Sequence, residues 1–158
     1  MKQETTHLSL AGVGPFYVIT ITILTTIFTF IPHFIIPPAL QIPAKVLGAF
    51  FIFISLLIWL SANLGSKLVE HVQENKLVTT GVFAYTRNPI YAAWMFIEIG
   101  FLLFTLNSLA CLAFPLYWAG MTIAVKNSEE IWLEKLYGDE YRTYKRKVNR
   151  CIPWFPKK

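Results

Sequence analysis

The sequence predicts an all-α integral membrane protein, with about four transmembrane helices and an amphipathic helical tail in the cytoplasm. Hydrophobic residues make up 55% of the 158-residue chain and charged residues only 15%, against roughly 25% charged in soluble domains. A soluble core of this size cannot hide so much apolar surface. The charges are also segregated, since Leu8 to Gly65 contains a single charged residue, Lys45, whereas fourteen charged residues follow Val125.

Two apolar runs precede the first long polar segment. Pro15 to Ile36 has 22 uncharged residues, enough to cross a hydrocarbon core of about 30 Å. It is longer than the apolar core of a signal peptide, so we expect a retained span. The prolines at 37 and 38 end it, and a short connection through Gln41 and Pro43 follows. Val46 to Leu64 is the second span, with 19 uncharged residues.

Two further apolar runs, Ile90 to Leu106 and Leu109 to Val125, have 17 residues each and are separated by only two polar residues. This spacing predicts an antiparallel hairpin, which can tilt in the bilayer. In the tail, apolar and aromatic side chains recur every three or four residues, which predicts two short helices interrupted at Gly138. We treat 1–158 as a single membrane domain, with two spans in 1–64 and the hairpin and tail in 65–158.

The basic residues predict the orientation. Four spans place the amino terminus, the polar segment from Gly65 to Pro89 and the tail on one side, and these carry 13 of the 14 Lys/Arg. The positive-inside rule puts that side in the cytoplasm. The basic tail suits an anionic leaflet, whereas no basic soluble module indicates a nucleic-acid partner. Neither His nor Cys residues show metal-ligand spacing, so no metal is expected.

The polar segment and the tail emerge on the same predicted face, where they can form one pocket at the mouth of the bundle. Arg87 to Tyr91 begins the third span, and the free backbone amides beside Pro89 favour a polar or anionic ligand. Glu98 is the one acidic residue within a predicted span, and such carboxylates are often functional. The alternatives are that Glu98 is hydrogen-bonded inside the bundle and that the other charges are solvated flanks.

Two motifs resemble a known family. The stretch from Leu77 to Tyr91, LVTTGVFAYTRNPIY, resembles the signature of isoprenylcysteine carboxyl methyltransferases and their phospholipid methyltransferase relatives. The tail adds a second motif, which consists of Glu129-Glu130 followed by Leu133, Tyr137-Gly138-Asp139-Glu140-Tyr141, Tyr144, Val148 and Pro153. The resemblance covers about residues 65 to 156, and two motifs in order around a hydrophobic hairpin are more specific than either alone.

The resemblance implies an S-adenosylmethionine-dependent methyltransferase that acts on a membrane-embedded or lipophilic acceptor, either an isoprenylcysteine carboxylate or a phospholipid amine. It implies a cytoplasm-facing cofactor site within 65–158, with a lateral opening for a lipid. The sulfonium and ammonium of the cofactor suit a carboxylate and aromatic faces. Carried over onto this sequence, the cofactor contacts are Glu70, Asn75, Lys76, Leu77, Val78, Phe83, Asn88, Pro89, Ile90, Tyr91 and Glu129.

The acceptor determines which residues are candidates for catalysis. A carboxylate acceptor needs a cation to hold it; Arg87 and Lys126 are the candidates, because Val125 stands where isoprenylcysteine enzymes have an arginine. An amine acceptor needs a proton acceptor, for which Glu98 and Glu130 are the candidates. The missing arginine weakens the case for a prenylcysteine carboxylate. Other departures from the family are Asn88 for histidine, Ala93 for glycine and Phe83 for tyrosine.

Two alternatives remain open. Steroid-reductase-like membrane enzymes share a similar tail with a Y-G-x-x-Y-x-x-Y run but bind NADPH, and the acidic pair Glu129-Glu130 argues against a site for its 2′-phosphate. A non-catalytic membrane protein, such as a transporter subunit or a scaffold, would line a path with intramembrane polar residues, of which only Glu98 qualifies.

Overall fold

The structure, a computed structural model, describes residues 14–65, 74 and 76–157. Its α-helices in chain order are α1 (Gly14–Phe30), α2 (Pro38–Leu60), α3 (Pro89–Phe104), α4 (Ala110–Asn127), α5 (Glu129–Tyr137) and α6 (Asp139–Lys147). A π-helical turn, Ser61–Gly65, extends α2, and a 3₁₀ turn, Gly81–Ala84, precedes α3. No β-strand occurs in these ranges, so the all-α prediction is confirmed for them.

The helices α1 to α4 form a bundle in which α3 contacts each of the other three. At one end, Gly14 at the start of α1 lies against the ring of Tyr91 at the start of α3. At the other end, the side-chain amide of Asn107 donates a hydrogen bond of 2.8 Å to the carbonyl of Phe28. The starts of α1 and α3 and the ends of α2 and α4 therefore lie together, at what we call the site end.

The core of the bundle is centred on α3, and the outward faces are apolar. Met95 and Leu102 of α3 are fully buried, whereas α2 exposes Phe53 and Leu57 to 58% and 44%. Large exposed apolar side chains on a whole helix face are expected where lipid surrounds the bundle.

Two predicted boundaries in the first half were wrong. The helix α1 ends at Phe30 and not at Ile36, because the ring of Pro32 excludes helical backbone from the residue before it. The helix α2 begins at Pro38 and not at Val46. Pro38 occupies the first helical turn, where a missing N–H costs nothing, and Pro43 lies inside the helix in place of the predicted connection.

One segment of the described chain, Pro38–Gly65 with 28 residues, is long and apolar enough to cross a bilayer. The apolar helices α1 and α3 are shorter, with 17 and 16 residues. At 1.5 Å per residue they are about 26 and 24 Å long. The predicted hairpin of α3 and α4 is confirmed, and Asn107 Oδ1 closes its turn by accepting a 2.9 Å hydrogen bond from the Leu109 amide.

The tail has the predicted form of two short helices. The break between α5 and α6 is at Gly138, whose φ of 54° is a conformation that glycine adopts without a steric penalty. The predicted stripe packs into one cluster with Leu77 of the polar segment, and its members are Leu133, Tyr137, Tyr141, Tyr144 and Val148. The tail is therefore packed against the segment that precedes α3.

Candidate active site

Tyr91 and Glu129 meet at the site end. Tyr91 lies in the first turn of α3, two residues after the buried Pro89, and Glu129 is the first residue of α5. The Tyr91 hydroxyl donates a hydrogen bond of 2.5 Å to Oε1 of Glu129. The bond joins the first motif to the second, which are separated in sequence by the hairpin.

The helix α1 encloses the ring of Tyr91. A Cβ atom on Gly14 would lie 2.6 Å from Cε1 of Tyr91, so the absence of a side chain at Gly14 allows the close approach. The ring centroids of Tyr17 and Tyr91 are 5.9 Å apart, and the Tyr17 hydroxyl donates a 3.3 Å hydrogen bond to the carbonyl of Tyr117. The sequence analysis missed this contribution, because α1 matched the family only as a generic membrane helix.

An apolar groove between α1 and α4 leads to this pair of tyrosines. Its volume is about 410 Å³, within the range of roughly 300–1,000 Å³ that is typical of ligand pockets. Its lining includes Phe16, Tyr17 and Leu116. Gly120 also lines it, and nothing lies within 4 Å of the position that a Cβ on Gly120 would occupy. The groove therefore offers an apolar path along the bundle that reaches Tyr91 through Tyr17.

Glu130, the next residue after Glu129, is the centre of a buried charge cluster. Its Oε1 accepts a 2.5 Å hydrogen bond from Nε of Arg150 and lies 2.9 Å from Nη2 of Arg87, and its Oε2 lies 3.6 Å from Nζ of Lys145. Burial acts to raise the pKa of this carboxyl, but the hydrogen bond from Arg150 and the charges of Arg87 and Lys145 outweigh it and lower the pKa. A carboxylate held in this way is a weak proton acceptor.

Arg87 is fixed from a second side by the tail. Its Nη1 donates a 3.1 Å hydrogen bond to the Tyr141 hydroxyl, and its guanidinium lies 5.9 Å from the centre of that ring. Burial raises the pKa of Tyr141 to about 12, so the phenol is neutral at pH 7. The Nε of Arg87 is buried with no hydrogen-bond partner among the described residues.

The last described residues, 149–157, form an irregular strap along the segment that precedes α3. The backbone amides of Arg87 and Asn88 donate to the carbonyls of Asn149 and Arg150, at 2.9 and 3.1 Å. The side-chain amide of Asn88 also donates to the Arg150 carbonyl, at 2.8 Å. The chain that leads into Tyr91 is therefore held in position by the tail.

The apolar residues predicted to contact a cofactor lie in two neighbouring clusters. Val78 and Phe83 are buried together with Ala62 beyond the end of α2, and Ile90 packs against them. Leu77 packs against the tail cluster. The predicted contacts Glu70 and Asn75 lie outside the described residues.

The structure also places three further predicted polar residues. Lys76 is exposed and forms an ion pair of 2.7 Å with Glu74, and Lys126 is exposed at the end of α4. Glu98 is buried and accepts a 2.6 Å hydrogen bond from the Thr22 hydroxyl, which ties α1 to α3. Val125, at the position where the isoprenylcysteine enzymes have arginine, is only 1% exposed and belongs to the bundle core.

The partners of Glu130 were not predicted. Arg150 and Lys145 are two of nine basic residues between Lys126 and the end of the chain, and no spacing distinguishes them from their solvated neighbours. The one available signal is that a buried glutamate needs a cation close by. That signal requires knowledge of the burial of Glu130, which the sequence does not provide.

Comparison with known families agrees with this arrangement of two joined motifs. The sequence model of the phospholipid methyltransferase family matches residues 19–140, well over half of the chain. The chain belongs to the phospholipid methyltransferase family. The resemblance inferred from the motifs is thereby confirmed, and the matched range includes both Tyr91 and Glu129.

Several proteins named protein-S-isoprenylcysteine O-methyltransferase are similar to about half of the chain. The one from Schizosaccharomyces pombe is 32% identical over 85 residues, which cover 53% of this chain and 36% of that protein. The human one is 32% identical over 95 residues, which cover 57% and 34%. The Dictyostelium discoideum one is 30% identical over 95 residues, which cover 56% and 40%. The chain thus spans well under half the length of these curated relatives, and no solved structure matches it.

Proposed function

We propose that this member of the phospholipid methyltransferase family is an integral membrane enzyme that transfers a methyl group from S-adenosylmethionine to a lipophilic acceptor. The observation that supports this most directly is the hydrogen bond between Tyr91 and Glu129, beside the ring of Tyr17, which lines the apolar groove. It combines a carboxylate and aromatic rings at a point that both a water-soluble cofactor and a lipid can reach. The names of the similar proteins support methyl transfer as the reaction.

The residues present fit S-adenosylmethionine, which supplies an electrophilic methyl group when it is bound. Glu129 would attract its positive charge, and Tyr91 and Tyr17 offer ring faces that suit a sulfonium. Because methyl transfer is an in-line displacement, positioning the two reactants can account for much of the rate. We propose that the remaining cofactor contacts come from Glu70, Asn75, Lys76, Leu77, Val78, Phe83, Asn88, Pro89 and Ile90.

The apolar chain of the acceptor would lie in the groove between α1 and α4. Its reactive group would then point toward Tyr17 and Tyr91, where the lining changes from apolar to polar. Gly120 keeps the groove open, so a single bulky side chain at this position would fill it. The rings of Tyr17 and Tyr91 would exclude water from the junction between the acceptor and the cofactor.

The charged residues divide into two roles in this proposal. Arg87 and Glu130 neutralise each other at 2.9 Å, so we propose that they position the site and do not touch the acceptor. A carboxylate acceptor would be held by Lys126, the exposed cation nearest in sequence to Glu129. An amine acceptor would transfer its proton to Glu98, if its reactive group reaches that depth in the bundle.

We further propose that α1 to α4 all cross the membrane, with both termini and residues 65–89 in the cytoplasm. The apolar outward faces of the bundle support this, and so does the sequence, because four spans would put 13 of the 14 Lys/Arg on one side of the membrane. Helices of 16 to 18 residues are short for a span, and local thinning of the bilayer can accommodate them.

The acceptor class is tested by incubating membranes that contain the chain with radiolabelled S-adenosylmethionine. A prenylcysteine analogue is supplied in one reaction and total membrane lipid in another. We expect label in at least one lipid fraction, and transfer at least tenfold slower in Gly120→Phe with unchanged cofactor affinity. The matched control is Gly65→Phe, because no described residue lies within 4 Å of the missing Cβ of Gly65 either and Gly65 does not line the groove. The absence of label in both fractions would contradict methyl transfer, and normal transfer by Gly120→Phe would contradict the groove.

A further inference from the structure

The strap, residues 149–157, is fixed along its length. Besides the bonds to Arg87 and Asn88, the Trp154 amide donates a 3.0 Å hydrogen bond to the Tyr85 carbonyl, and the Lys157 amide donates a 2.8 Å hydrogen bond to the Lys147 carbonyl. The ring of Phe155 meets that of Tyr85 edge-on, with centroids 6.0 Å apart. The strap therefore presents one defined surface.

That surface combines uncovered aromatic rings with positive charge. Trp154 is 66% exposed, Phe155 is 74% exposed and Tyr85 is 45% exposed. The stretch from residue 142 to the end of the sequence contains seven Lys/Arg and no Asp/Glu. Aromatic side chains favour the headgroup level of a bilayer, and Lys and Arg are attracted to an anionic leaflet by about 1 kcal/mol each.

The strap also lies beside the end of the apolar part of the bundle, where lipid headgroups would lie. It pairs with residues 85–88, which immediately precede the apolar helix α3. Leu64, beyond the end of α2 at the same end of the bundle, is 75% exposed. A bilayer that surrounds the apolar faces of the bundle would have its headgroups beside the strap.

We propose that the strap is a docking surface for anionic lipid headgroups, and that docking steadies the Arg87–Asn88 segment that leads into Tyr91. Trp154 and Phe155 would insert between headgroups, while the exposed Arg146, Lys147 and Lys157 pair with their negative charge. Arg142, Lys145 and Arg150 are engaged by carboxylates of α5 and α6. A ligand that binds only one arrangement stabilises it. The carbonyls of Asn149 and Arg150 would then release the amides of Arg87 and Asn88 less often. The inference does not depend on methyl transfer.

The test is hydrogen exchange of the full chain in lipid nanodiscs. One preparation contains phosphatidylcholine alone, and the other contains phosphatidylcholine mixed with phosphatidylglycerol. We expect the amides of Arg87, Asn88 and Trp154 to exchange several-fold more slowly in the anionic discs. High salt should remove most of the difference, because it screens exposed charges.

The double variant Trp154→Ser/Phe155→Ser should show the same amide exchange rates in the two lipid preparations. The exchange rate of the amide of the core residue Leu102 reports whether the bundle of the double variant is intact. Ile131→Ser, which removes a half-exposed apolar side chain from α5, is the matched control and should keep the difference. Equal exchange in both lipids, or a difference that survives in the double variant, would overturn the proposal. Amide exchange in neutral discs that becomes slower as the protein concentration rises would identify a second copy of the chain as the occupant of the strap. That result would also overturn the lipid proposal.

Discussion

The hydroxyl of Tyr91 lies 2.5 Å from Oε1 of Glu129 and donates a hydrogen bond to it. Tyr91 is fixed by α1, through the close approach of Gly14 and the contact with the ring of Tyr17. Glu129 begins the tail. The orientation of the candidate cofactor-binding carboxylate therefore depends on a helix at the opposite end of the sequence.

Replacing Tyr91 by phenylalanine tests that dependence. The change removes the hydroxyl and leaves the ring against Tyr17. Loss of one hydrogen bond to a charged group costs about 1.5 kcal/mol, so we expect affinity for S-adenosylmethionine to fall by about tenfold in calorimetry. The control Tyr85→Phe, which removes the hydroxyl of a tyrosine that is 45% exposed, should bind normally. Equal affinities in the two variants would show that Tyr91 does not orient Glu129 for the cofactor.

Glu130→Gln should destabilise the fold. Loss of the carboxylate leaves Arg87 and Arg150 without their shared counter-charge, and breaking a buried ion pair costs about 3 kcal/mol. The measurement is the thermal unfolding midpoint in detergent. The control is Glu134→Gln, whose ion pairs with Arg142 and Lys145 are partly exposed and should contribute at most about 1 kcal/mol. If both variants unfold at the same temperature, the cluster does not hold the tail.

The same ion pairs make the stability of the fold depend on pH. The pKa of Glu130 is lower in the folded protein than its ordinary value of about 4.3. Its contribution to stability is therefore fully present above about pH 4.3 and is lost as the pH falls through the lower folded value. The difference in stability between the natural chain and Glu130→Gln should be constant from neutral pH down to about pH 4.3 and should shrink at lower pH. A difference that grows on acidification would contradict the sign of the shift.

Gly48→Ala should loosen the contact between α2 and α3. A Cβ at this position would lie 2.6 Å from the amide nitrogen of Phe104 and 2.7 Å from the carbonyl oxygen of Gly100. Alanine normally stabilises a helix by up to about 1 kcal/mol relative to glycine. Here the two helices must separate, and we expect a net loss of about 1–3 kcal/mol. Gly120→Ala, where the same atom meets open space, should unfold at or above the natural temperature. Stabilisation by both changes would contradict the close helix contact.

The periodicity of the sequence predicted the hairpin and the tail well, because polar residues or a glycine interrupt the apolar pattern where these helices end. Asn107 and Ser108 lie in the turn between α3 and α4, and Gly138 separates α5 from α6. The boundaries of α1 and α2 were predicted less well. Prolines at 32, 37, 38 and 43 break a continuous apolar stretch, and composition does not distinguish a proline that ends a helix from one in its first turns.

The motif carried over from the family predicted Tyr91 and Glu129 but not the side chains that surround them. Tyr17 and the groove arise from the packing of α1 on α4, a long-range contact with no local sequence pattern. The saturation of Glu130 by Arg87 and Arg150 likewise depends on the path of the strap. Arg87 and Glu130 were predicted as catalytic candidates because the sequence shows their charges but not the contact between them.

The proposed topology predicts that Gln41 and Thr79 lie on opposite sides of the membrane. Cysteine is placed at each position in turn, in a chain whose exposed Cys111 has been replaced by alanine, and intact cells are treated with an impermeant thiol reagent. We expect labelling of Gln41→Cys from outside and of Thr79→Cys only after lysis. Labelling of Thr79→Cys in intact cells would place the site end away from the cytoplasm and would contradict the four-span arrangement.

The identity of the cofactor is tested by calorimetric titration of the detergent-purified chain with S-adenosylmethionine, with NADPH titrated in parallel. The natural chain should bind S-adenosylmethionine and give no saturable heat with NADPH. Glu129→Gln should bind S-adenosylmethionine more weakly by about 1.5–3 kcal/mol, since it loses a hydrogen-bond acceptor that carries the counter-charge to the cofactor. Saturable binding of NADPH without binding of S-adenosylmethionine, or equal affinity for S-adenosylmethionine in the natural chain and Glu129→Gln, would contradict the account.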